Sequence, residues 1–405
     1  MELFLDRINK AIWGTPLIIT LLVIGTFYTF KLRIIQIRFP FILLHKKSES
    51  LPIKTICMSL GASMGTGNII GTASALAIGG PGSLLWMWIS AFIGMALVYA
   101  ENTLAQRYNT NDIKGTMSYL LYGLNSRLLA GSFAIFCVLA SLGMGGMVQV
   151  NTFTSTLYNC IGEQKSITMV AIFIIIFFIN KGGANRIGST AQFILPIATI
   201  SYMFLCIPVI IINIQHIPSL ISEIFIQGLG FKQVSGGILG LTISVGIRRG
   251  IFSNEAGIGS SPILHSSSNS FKLNQASLCM IEVLIDSLCC TLTAITILCS
   301  GNSFTISDSL SVILGNNVYP FLTIIYGLFA LCTIIGWYYC GETAFLFITK
   351  RKSSKLFCLF FSFIVALGAI LENNTVWILS DIFNGLMAFP NLIGLALLNK
   401  EVKKE

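Results

Sequence analysis

The stretch GASMGTGNIIGTASALAIGGPG, residues 61–82, is apolar enough to enter a lipid bilayer and contains no charged residue. Its glycines at 61, 65, 67 and 71, together with Asn68, should nevertheless break a helix partway through. In a bilayer core each unpaired backbone group costs several kcal/mol, so a broken helix persists only where protein or a cavity covers it. Discontinuous helices of this kind are typical of substrate and ion sites in membrane transporters.

The composition of the whole chain indicates a polytopic membrane protein. Of its 405 residues, 54% are hydrophobic and only 10% are charged, and the mean hydropathy is +0.82. A soluble chain normally carries about 25% charged residues. The net charge of +9 does not indicate a nucleic-acid partner, because the basic residues lie between apolar spans, where cytoplasmic loops concentrate them.

The cysteines and the N-terminus indicate neither a metal site nor a cleaved signal. The eleven cysteines lie mostly inside apolar runs, and none forms a C-x-x-C pair with partner histidines. They are interpreted as small packing residues, so neither zinc nor a redox site is expected. The N-terminal segment carries mixed charges and lacks a small-residue cleavage site before its apolar run, which favours a retained first helix.

With about 20 residues needed per span, the apolar runs predict an all-α integral membrane protein with eleven transmembrane helices in one transporter domain, residues 1–405. The predicted helices are 12–32, 54–78, 82–105, 128–157, 166–181, 189–213, 234–253, 273–300, 319–349, 354–371 and 375–398. The segment 217–231 is too short and polar to span and is interpreted as an interfacial helix.

Lysine and arginine are distributed unevenly between the two sides of the predicted bilayer. With the N-terminus outside, all but four of the 25 basic residues fall in cytoplasmic segments, and Arg248 and Arg249 are counted among these. The four on the outside are Arg7, Lys10, Lys165 and Lys232. Because cytoplasmic loops carry an excess of Lys and Arg, we expect the N-terminus outside and the C-terminus in the cytoplasm, in a bacterial plasma (inner) membrane.

A second broken helix is predicted at residues 236–261, GGILGLTISVGIRRGIFSNEAGIGSS. It combines glycines with two arginines, Asn254 and Glu255, which are costly in one membrane segment. The broken helices are the second and the seventh, and a shift of five helices, an odd number, reverses orientation. The helix order therefore predicts an inverted repeat, residues 54–213 and 234–398, each half opening with a broken helix after one extra helix at 12–32.

The break at Gly65, Thr66 and Gly67 frees backbone groups for a ligand. The N-terminus of a half-helix can hold a carboxylate and the C-terminal end of the other half a cation, and an amino acid offers both charges. Close helix packing through small residues is the alternative, but the run Gly-Thr-Gly-Asn favours a site. Phe252 could cap a small substrate. Gln149, an isolated amide in the fourth helix, could bind the ligand or hydrogen-bond to another helix.

The eighth and ninth helices add further polar candidates. Thr333 and Trp337 are four residues apart and share a face; Thr333 could bind Na⁺ or substrate, and Trp337 could wall the pocket or simply pack. Glu282 and Asp286 are also one turn apart, and carboxylates in a membrane are functional candidates for cation coupling, a proton relay or a structural pair. Glu342 is interpreted as the partner of a basic residue or as part of a gate.

Six motifs resemble the alanine-or-glycine:cation (sodium) symporter family: GTGNIIG, GGPGSLLWMW, YAEN, GIRRGIFSNEAGIGSSPILH, TIIGWYYCGE and DIFNGLMAFPNLIGL. The resemblance runs from about residue 12 to 398. It implies a leucine-transporter-type fold of two inverted five-helix repeats preceded by one extra helix. The implied activity is Na⁺-driven uptake of alanine, glycine or a similar small neutral amino acid. Two departures, Gly146 and Thr343, fall where the family tends to have Asn and Arg.

The resemblance also implies a role for individual residues. The implied substrate site consists of Gly65, Thr66, Gly67, Gln149, Phe252, Ala256, Thr333 and Trp337. The co-transported sodium ion is expected near Ala62, Gly65 and Thr333. No resident cofactor is expected.

The expected function is therefore secondary active transport across a lipid bilayer, with a small neutral amino acid and Na⁺ as partners. A proton-coupled carrier of the same fold, using Asp286 or Glu282, is the alternative. A channel is less expected because it does not need two broken helices at inverted positions. An enzyme is not expected, because the sequence contains no nucleophile–base pair, metal cluster or phosphate loop.

Overall fold

The computed structural model describes residues 2–45, 52–230, 236–266, 275–301, 305–350 and 354–402. Within these ranges the chain forms helices joined by turns and contains no β-strand, which confirms the all-α prediction. Residues 234 and 235 of the predicted seventh helix lie outside the described ranges. So do several basic residues used for the orientation: Lys46, Lys47, Lys232, Lys272, Arg351, Lys352, Lys403 and Lys404.

The described helices follow one another with few long connections. Up to the middle of the chain they are α1 Glu2–Ile12, α2 Thr15–Lys31, α3 Ile35–His45, α4 Ile53–Ser63, α5 Thr72–Gly79, α6 Ser83–Tyr108, α7 Thr116–Ser118, α8 Arg127–Leu142, α9 Val148–Ile161, α10 Lys165–Asn180, α11 Gly183–Ile212 and α12 Ile217–Gly228. The remainder are α13 Gly236–Asn254, α14 Ser261–His265, α15 Gln275–Ser300, α16 Ile306–Leu314, α17 Val318–Ile348, α18 Ser354–Ala366 and α19 Asn373–Leu397.

Much of the helical surface is suited to lipid. Among the described residues, seven stretches are long and apolar enough to cross a membrane: Phe4–Lys31, Ser83–Tyr108, Arg127–Ile161, Gly183–Ile212, Ala276–Ser300, Val318–Ile348 and Asn374–Leu397. Large apolar side chains such as Phe193 and Phe204 are more than 70% exposed on them. The shorter apolar helices α10 and α18 coincide with two further predicted spans. The count of eleven spans and the division into inverted repeats remain predictions.

Several helices extend the sequence interpretation. The segment predicted to be interfacial forms α12, whereas α3, α7, α16 and nearly all of α1 were not predicted. α3 has only 11 residues, so it is too short to register as a span. α16 starts after Thr305, whose hydroxyl accepts the backbone N–H of Asp308 at 3.2 Å and caps the helix.

Both predicted breaks are present. α4 ends at Ser63, and residues 64–66 lead into a π-helical turn, Gly67–Gly71, that continues as α5. α13 ends at Asn254, and α14 begins at Ser261. Long helices cover the breaks, because α6 packs against α13 and α15, while α17 packs against α4, α8 and α11. The freed backbone is therefore enclosed by protein, as the membrane environment requires.

Candidate functional site

A glutamine from the neighbouring helix holds the backbone that is freed at the first break. The backbone N–H and the hydroxyl of Thr66 both donate to Oε1 of Gln149, at 3.1 and 2.8 Å. The amide nitrogen of Gln149 donates to the carbonyl of Met144, at 3.2 Å, within a second π-helical turn, Gly143–Met147. Such turns are frequent at functional sites. Gln149 thus hydrogen-bonds across helices at the very backbone where a ligand was predicted.

Gly65 lies where no side chain fits. A Cβ atom at this position would be 2.4 Å from Oγ1 of Thr333 and 2.9 Å from Oε1 of Gln149. The Thr333 hydroxyl donates to the carbonyl of Gly61 at 2.9 Å, near the C-terminal end of α4. The structure therefore brings Gly65, Thr66, Gln149 and Thr333 together in one cluster, and the last three are at most 2% exposed.

The second break is organised by Glu255, which was not a predicted site residue. Its backbone adopts a left-handed conformation, with φ of +53°, that is uncommon for a residue with a side chain. Trp337 donates from Nε1 to Oε1 of Glu255 at 2.8 Å, and the Ser260 hydroxyl donates to Oε2 at 2.6 Å. Trp337 therefore does more than pack, because it links α17 to the second break. The only sequence signal for Glu255 was its cost within an apolar segment.

Phe252 lies between the two breaks. Its ring carbon Cε1 would be 3.5 Å from a Cβ atom at Gly67, and its ring stacks on Trp377 at a centroid distance of 5.9 Å. This position is compatible with the predicted capping role. Ala256 is placed differently: its methyl group faces α6, where a Cβ atom at Gly94 would come within 2.8 Å of it.

Asp286 connects both broken helices to α15. The side-chain amide of Asn68 donates to its Oδ1, and the Ser253 hydroxyl donates to its Oδ2 at 2.7 Å. Asn68 in turn accepts the backbone N–H of Gly65 at 3.2 Å. All three side chains of this group are at most 4% exposed. The buried carboxylate and the Ser253 hydroxyl offer oxygen atoms, which suit a hard cation, whereas Asn68 faces the carboxylate with its amide nitrogen.

Glu282 lies one turn before Asp286 and also contacts both broken helices. Its Oε2 accepts the Ser59 hydroxyl of α4 at 2.7 Å, and its Oε1 is 2.9 Å from Nε2 of His265, the last residue of α14. Glu282 and Asp286 share a face of α15 as predicted, but they do not form a pair with each other. Each has its own set of partners.

Arg248 and Arg249 lie within the fold and do not mark a helix end. Both approach Asp381 of α19, where Arg248 forms a salt bridge and Arg249 is 3.8 Å away. Their side chains are 22% and 14% exposed, and α13 continues for five residues beyond Arg249. Both arginines were counted among the predicted cytoplasmic segments, and that location stays a prediction. Their contact with Asp381 of α19 was not predicted.

A polar network supports the second break from the side of α6. Asn391 of α19 donates through its side-chain amide to Oε1 of Glu101 at 2.6 Å and to the carbonyl of Gly257 at 2.9 Å. The Thr116 hydroxyl donates to the carbonyl of Gly259 at 2.7 Å. Gly257 and Gly259 have φ of +87° and +84°, a conformation for which glycine is favoured. The YAEN and DIFNGLMAFPN motifs therefore meet at this loop.

Glu342 lies away from both breaks. Its carboxylate accepts hydrogen bonds from the hydroxyls of Tyr338, at 2.8 Å, and Ser354. It borders a cavity of about 450 Å³ together with Lys114 and Tyr339. The described partners of Glu342 are hydroxyl groups, not the basic residue that was expected.

Comparison with known proteins assigns the chain to a family. Residues 1–405 match the sodium:alanine symporter family. The chain is 36% identical to the probable sodium/glutamine symporter GlnT of Bacillus subtilis, over 97% of this chain and 87% of that one. It is 33% identical to the sodium/alanine symporter AgcS of Methanococcus maripaludis, over 99% and 95%.

A solved structure supports the fold. MhsT, crystallised in complex with L-phenylalanine, superposes with a TM-score of 0.63 over 87% of this chain and 90% of that one, at 16% identity. At this identity the likeness concerns the fold alone, and it confirms the leucine-transporter-type architecture. Taken with the motifs at both breaks and the match over its whole length, the chain belongs to the sodium:alanine symporter family of membrane transporters.

Proposed function

We propose that this protein couples the inward movement of Na⁺ to the uptake of alanine, glycine or a similar small neutral amino acid. The observation that carries the proposal is the position of Asp286, which bonds to Asn68 at the first break and to Ser253 beside the second. A cation bound to this carboxylate would contact both broken helices at once. Ion binding would thereby favour one arrangement of the two helices, as coupling requires.

The amino acid is expected beside this ion, at the freed backbone of the first break. Its carboxylate would meet backbone N–H groups at the start of the π-helical turn, where the helix dipole favours negative charge. Its ammonium group would meet carbonyls and Oε1 of Gln149, which already accepts two hydrogen bonds from Thr66. The broken helix thus offers N–H donors to the carboxylate and carbonyl acceptors to the ammonium group, so that neither charge of the amino acid would be buried without a partner.

The walls of this site favour a small side chain. Thr333 and Gln149 crowd Gly65, and the ring of Phe252 lies over Gly67. Substrates larger than alanine or serine would have to displace these groups. The name of the relative GlnT makes glutamine the most informative larger substrate to include in a panel.

Two sets of oxygens are candidates for Na⁺. The set expected from the resemblance comprises Ala62, Gly65 and Thr333, and the Thr333 hydroxyl does lie at the C-terminal end of α4. Ala62 packs closely against Gly336: a Cβ atom added at Gly336 would lie only 2.8 Å from Cβ of Ala62. The set around Asp286 includes a formal negative charge, and we favour it because a carboxylate balances a cation in a low-dielectric site.

Uptake of labelled alanine in proteoliposomes tests the proposal. An inward Na⁺ gradient is expected to drive accumulation, and replacement of Na⁺ by choline at fixed pH is expected to abolish it. Accumulation that persists in choline would instead support the proton-coupled alternative through Asp286 or Glu282. Counterflow of labelled substrate should be observed, whereas a pore would show none.

The expected location follows from the same proposal. We place the protein in the plasma membrane, with the N-terminus outside and the C-terminus in the cytoplasm. The proposal is supported by the excess of basic residues in the predicted cytoplasmic segments, even after Arg248 and Arg249 are removed from the count. Labelling of single cysteines placed near either terminus with an impermeant reagent tests this orientation in whole cells.

A further inference from the structure

A buried cluster of three different ligand types lies where α4, α14 and α15 meet. His265 is the last residue of α14, and Cys279 and Glu282, three residues apart, project from one face of α15. One ligand atom from each residue lies within 4.8 Å of the other two. His265 and Cys279 are completely buried, and Glu282 is 6% exposed.

Polar contacts hold the cluster together and bring its ligand atoms close to one another. His265 Nε2 and Glu282 Oε1 are 2.9 Å apart, within hydrogen-bonding distance, and they would move apart by a few tenths of an ångström to bind one ion at about 2.0–2.2 Å each. The other oxygen of Glu282 accepts the Ser59 hydroxyl, as the outer oxygen of a metal-bound carboxylate commonly does.

The donor set indicates which ion would fit. Imidazole nitrogen, thiolate and carboxylate together suit a borderline-soft divalent ion such as Zn²⁺, whereas Na⁺ prefers oxygen alone. A thiolate, a carboxylate and a neutral imidazole carry two negative charges, which one divalent ion balances. Beside Cys279 and Glu282 lies a cavity of about 10 Å³, close to the smallest volume that holds one water molecule.

We propose that His265, Cys279 and Glu282 bind a divalent transition-metal ion of the Zn²⁺ class, and that the bound ion fastens both broken helices to α15. On binding, the Cys279 thiol releases its proton and a sulfur–metal bond forms. The hydrogen of the neutral His265 ring takes the Nδ1 position, so that Nε2 can bind the ion, and no oxidation state changes. Ser59 of α4 joins the site through the carboxylate of Glu282. Sequence spacing does not predict this site, because its ligands come from two helices and lack a C-x-x-C pair.

The expected consequence is inhibition of transport. In alternating access the broken helices move against the rest of the bundle, and an ion that ties α4 and α14 to α15 opposes that motion. This consequence rests on the proposed transport function. Metal binding itself does not depend on the transport function. An experiment can therefore refute the metal site and the inhibition of transport separately.

Metal binding is tested with Co²⁺, which reports thiolate coordination by absorption in the near ultraviolet. The purified full-length protein carries Cys160→Ser, because Cys160 is the exposed cysteine among the described residues. One equivalent of Co²⁺ is expected to produce the charge-transfer band, and Zn²⁺ should displace it. Cys279→Ser should remove the band, while the matched control Cys206→Ser, buried on α11, should retain it.

Further variants keep this test decisive if Cys279→Ser fails to fold. His265→Gln and Glu282→Gln should each weaken Co²⁺ binding at least tenfold, and Ser59→Ala should weaken it about 10- to 100-fold as an outer partner. Absence of the band in the parent protein, or its full persistence in Cys279→Ser, would overturn the proposal.

Transport tests the fastening role. Zn²⁺ supplied on both sides of the proteoliposome membrane should inhibit alanine uptake by the Cys160→Ser parent and should inhibit Cys279→Ser at least tenfold less. Equal inhibition of both proteins would refute the fastening role. A protein that binds Co²⁺ through Cys279 but shows no Na⁺-driven uptake would refute the proposed function and leave the metal site intact.

Discussion

The two broken helices are built by opposite means. At the first break, Gly65 has no left-handed backbone conformation, and its lack of a side chain makes room for Thr333 and Gln149. At the second break, three residues adopt left-handed conformations, and the carboxylate of Glu255 is held by Trp337 and Ser260. The first break is therefore a place of close approach, whereas the second is a backbone fixed by side chains. Under the proposed function, we therefore expect the first break to receive the ligand and the second to position it.

The largest effect is expected for Gly65→Ala. The added methyl group would come within 2.4 Å of Oγ1 of Thr333, and overpacking of this kind costs about 1–3 kcal/mol. Alanine uptake should fall to background, while the protein remains in the membrane. The matched control is Gly71→Ala, because a Cβ atom there meets nothing within 4 Å. Equal uptake by the two variants would contradict the role assigned to Gly65.

Asp286→Asn should uncouple the site from Na⁺. Asparagine retains the shape but removes the charge that balances the ion. Its oxygen can still accept from Asn68, and its amide nitrogen can donate to the Ser253 hydroxyl, which then acts as the acceptor. The Na⁺ concentration for half-maximal alanine uptake should rise at least about tenfold, which corresponds to roughly 1.4 kcal/mol. Asp308→Asn, at the start of α16 and away from both breaks, is the control. If the Na⁺ dependence of Asp286→Asn is unchanged, the oxygens near Thr333 would be favoured as the Na⁺ site.

Trp337→Phe tests how the second break is fixed. The variant keeps an aromatic ring but removes the donor to Glu255, and a buried acceptor that loses its partner costs about 1–3 kcal/mol. Alanine uptake should fall roughly five- to 100-fold on that basis. The double variant Trp337→Phe with Glu255→Gln should lose less uptake than the sum of the two single losses in free energy, because both changes break the same contact. Additive losses would show that Trp337 and Glu255 are not energetically coupled. Trp88→Phe, which removes a similar bond to Thr291, is the control.

The smallest effect is expected where the N-terminal helices meet the second broken helix. Trp13 donates from Nε1 to the backbone carbonyl of Asp381 at 2.7 Å, and its ring faces Arg248. Trp13→Phe removes a single hydrogen bond, worth about 0.5–1.5 kcal/mol. Thermal unfolding in detergent should occur at a slightly lower temperature, with uptake reduced by less than in the three variants above. A loss of uptake as large as that of Gly65→Ala would assign Trp13 a direct part in transport.

Much of this site could be predicted because its signals are local in sequence. Glycines clustered with Asn68 in an apolar run have few explanations other than a broken helix, and the structure confirms both breaks. Gln149 stood out as an isolated amide in an apolar span, and Thr333 because it shares a helix face with Trp337. Their convergence on Gly65 could not be derived, since it depends on how α9, α4 and α17 cross.

The contacts that were missed join residues far apart in the chain. Glu255 with Trp337, Asp381 with Arg248, and His265 with Glu282 have no shared periodicity that a sequence displays. The contact of Arg249 with Asp381 was missed for the same reason, because the two residues lie on different helices. The approach of Ala256 to Gly94 of α6 could not be derived either, because helical spacing does not give the direction of a side chain that follows a left-handed residue. The expected role of Ala256 in the substrate site stays a prediction.

The most direct test is the affinity for alanine at low and high Na⁺, measured by thermal shift or calorimetry on the purified protein. If one site near Asp286 couples the two ligands, Na⁺ should tighten alanine binding, and alanine should tighten Na⁺ binding by the same factor. We predict a mutual factor of at least about five, within the usual range for coupled sites, and its loss in Asp286→Asn. An alanine affinity that does not change with Na⁺ in the wild-type protein would contradict the account.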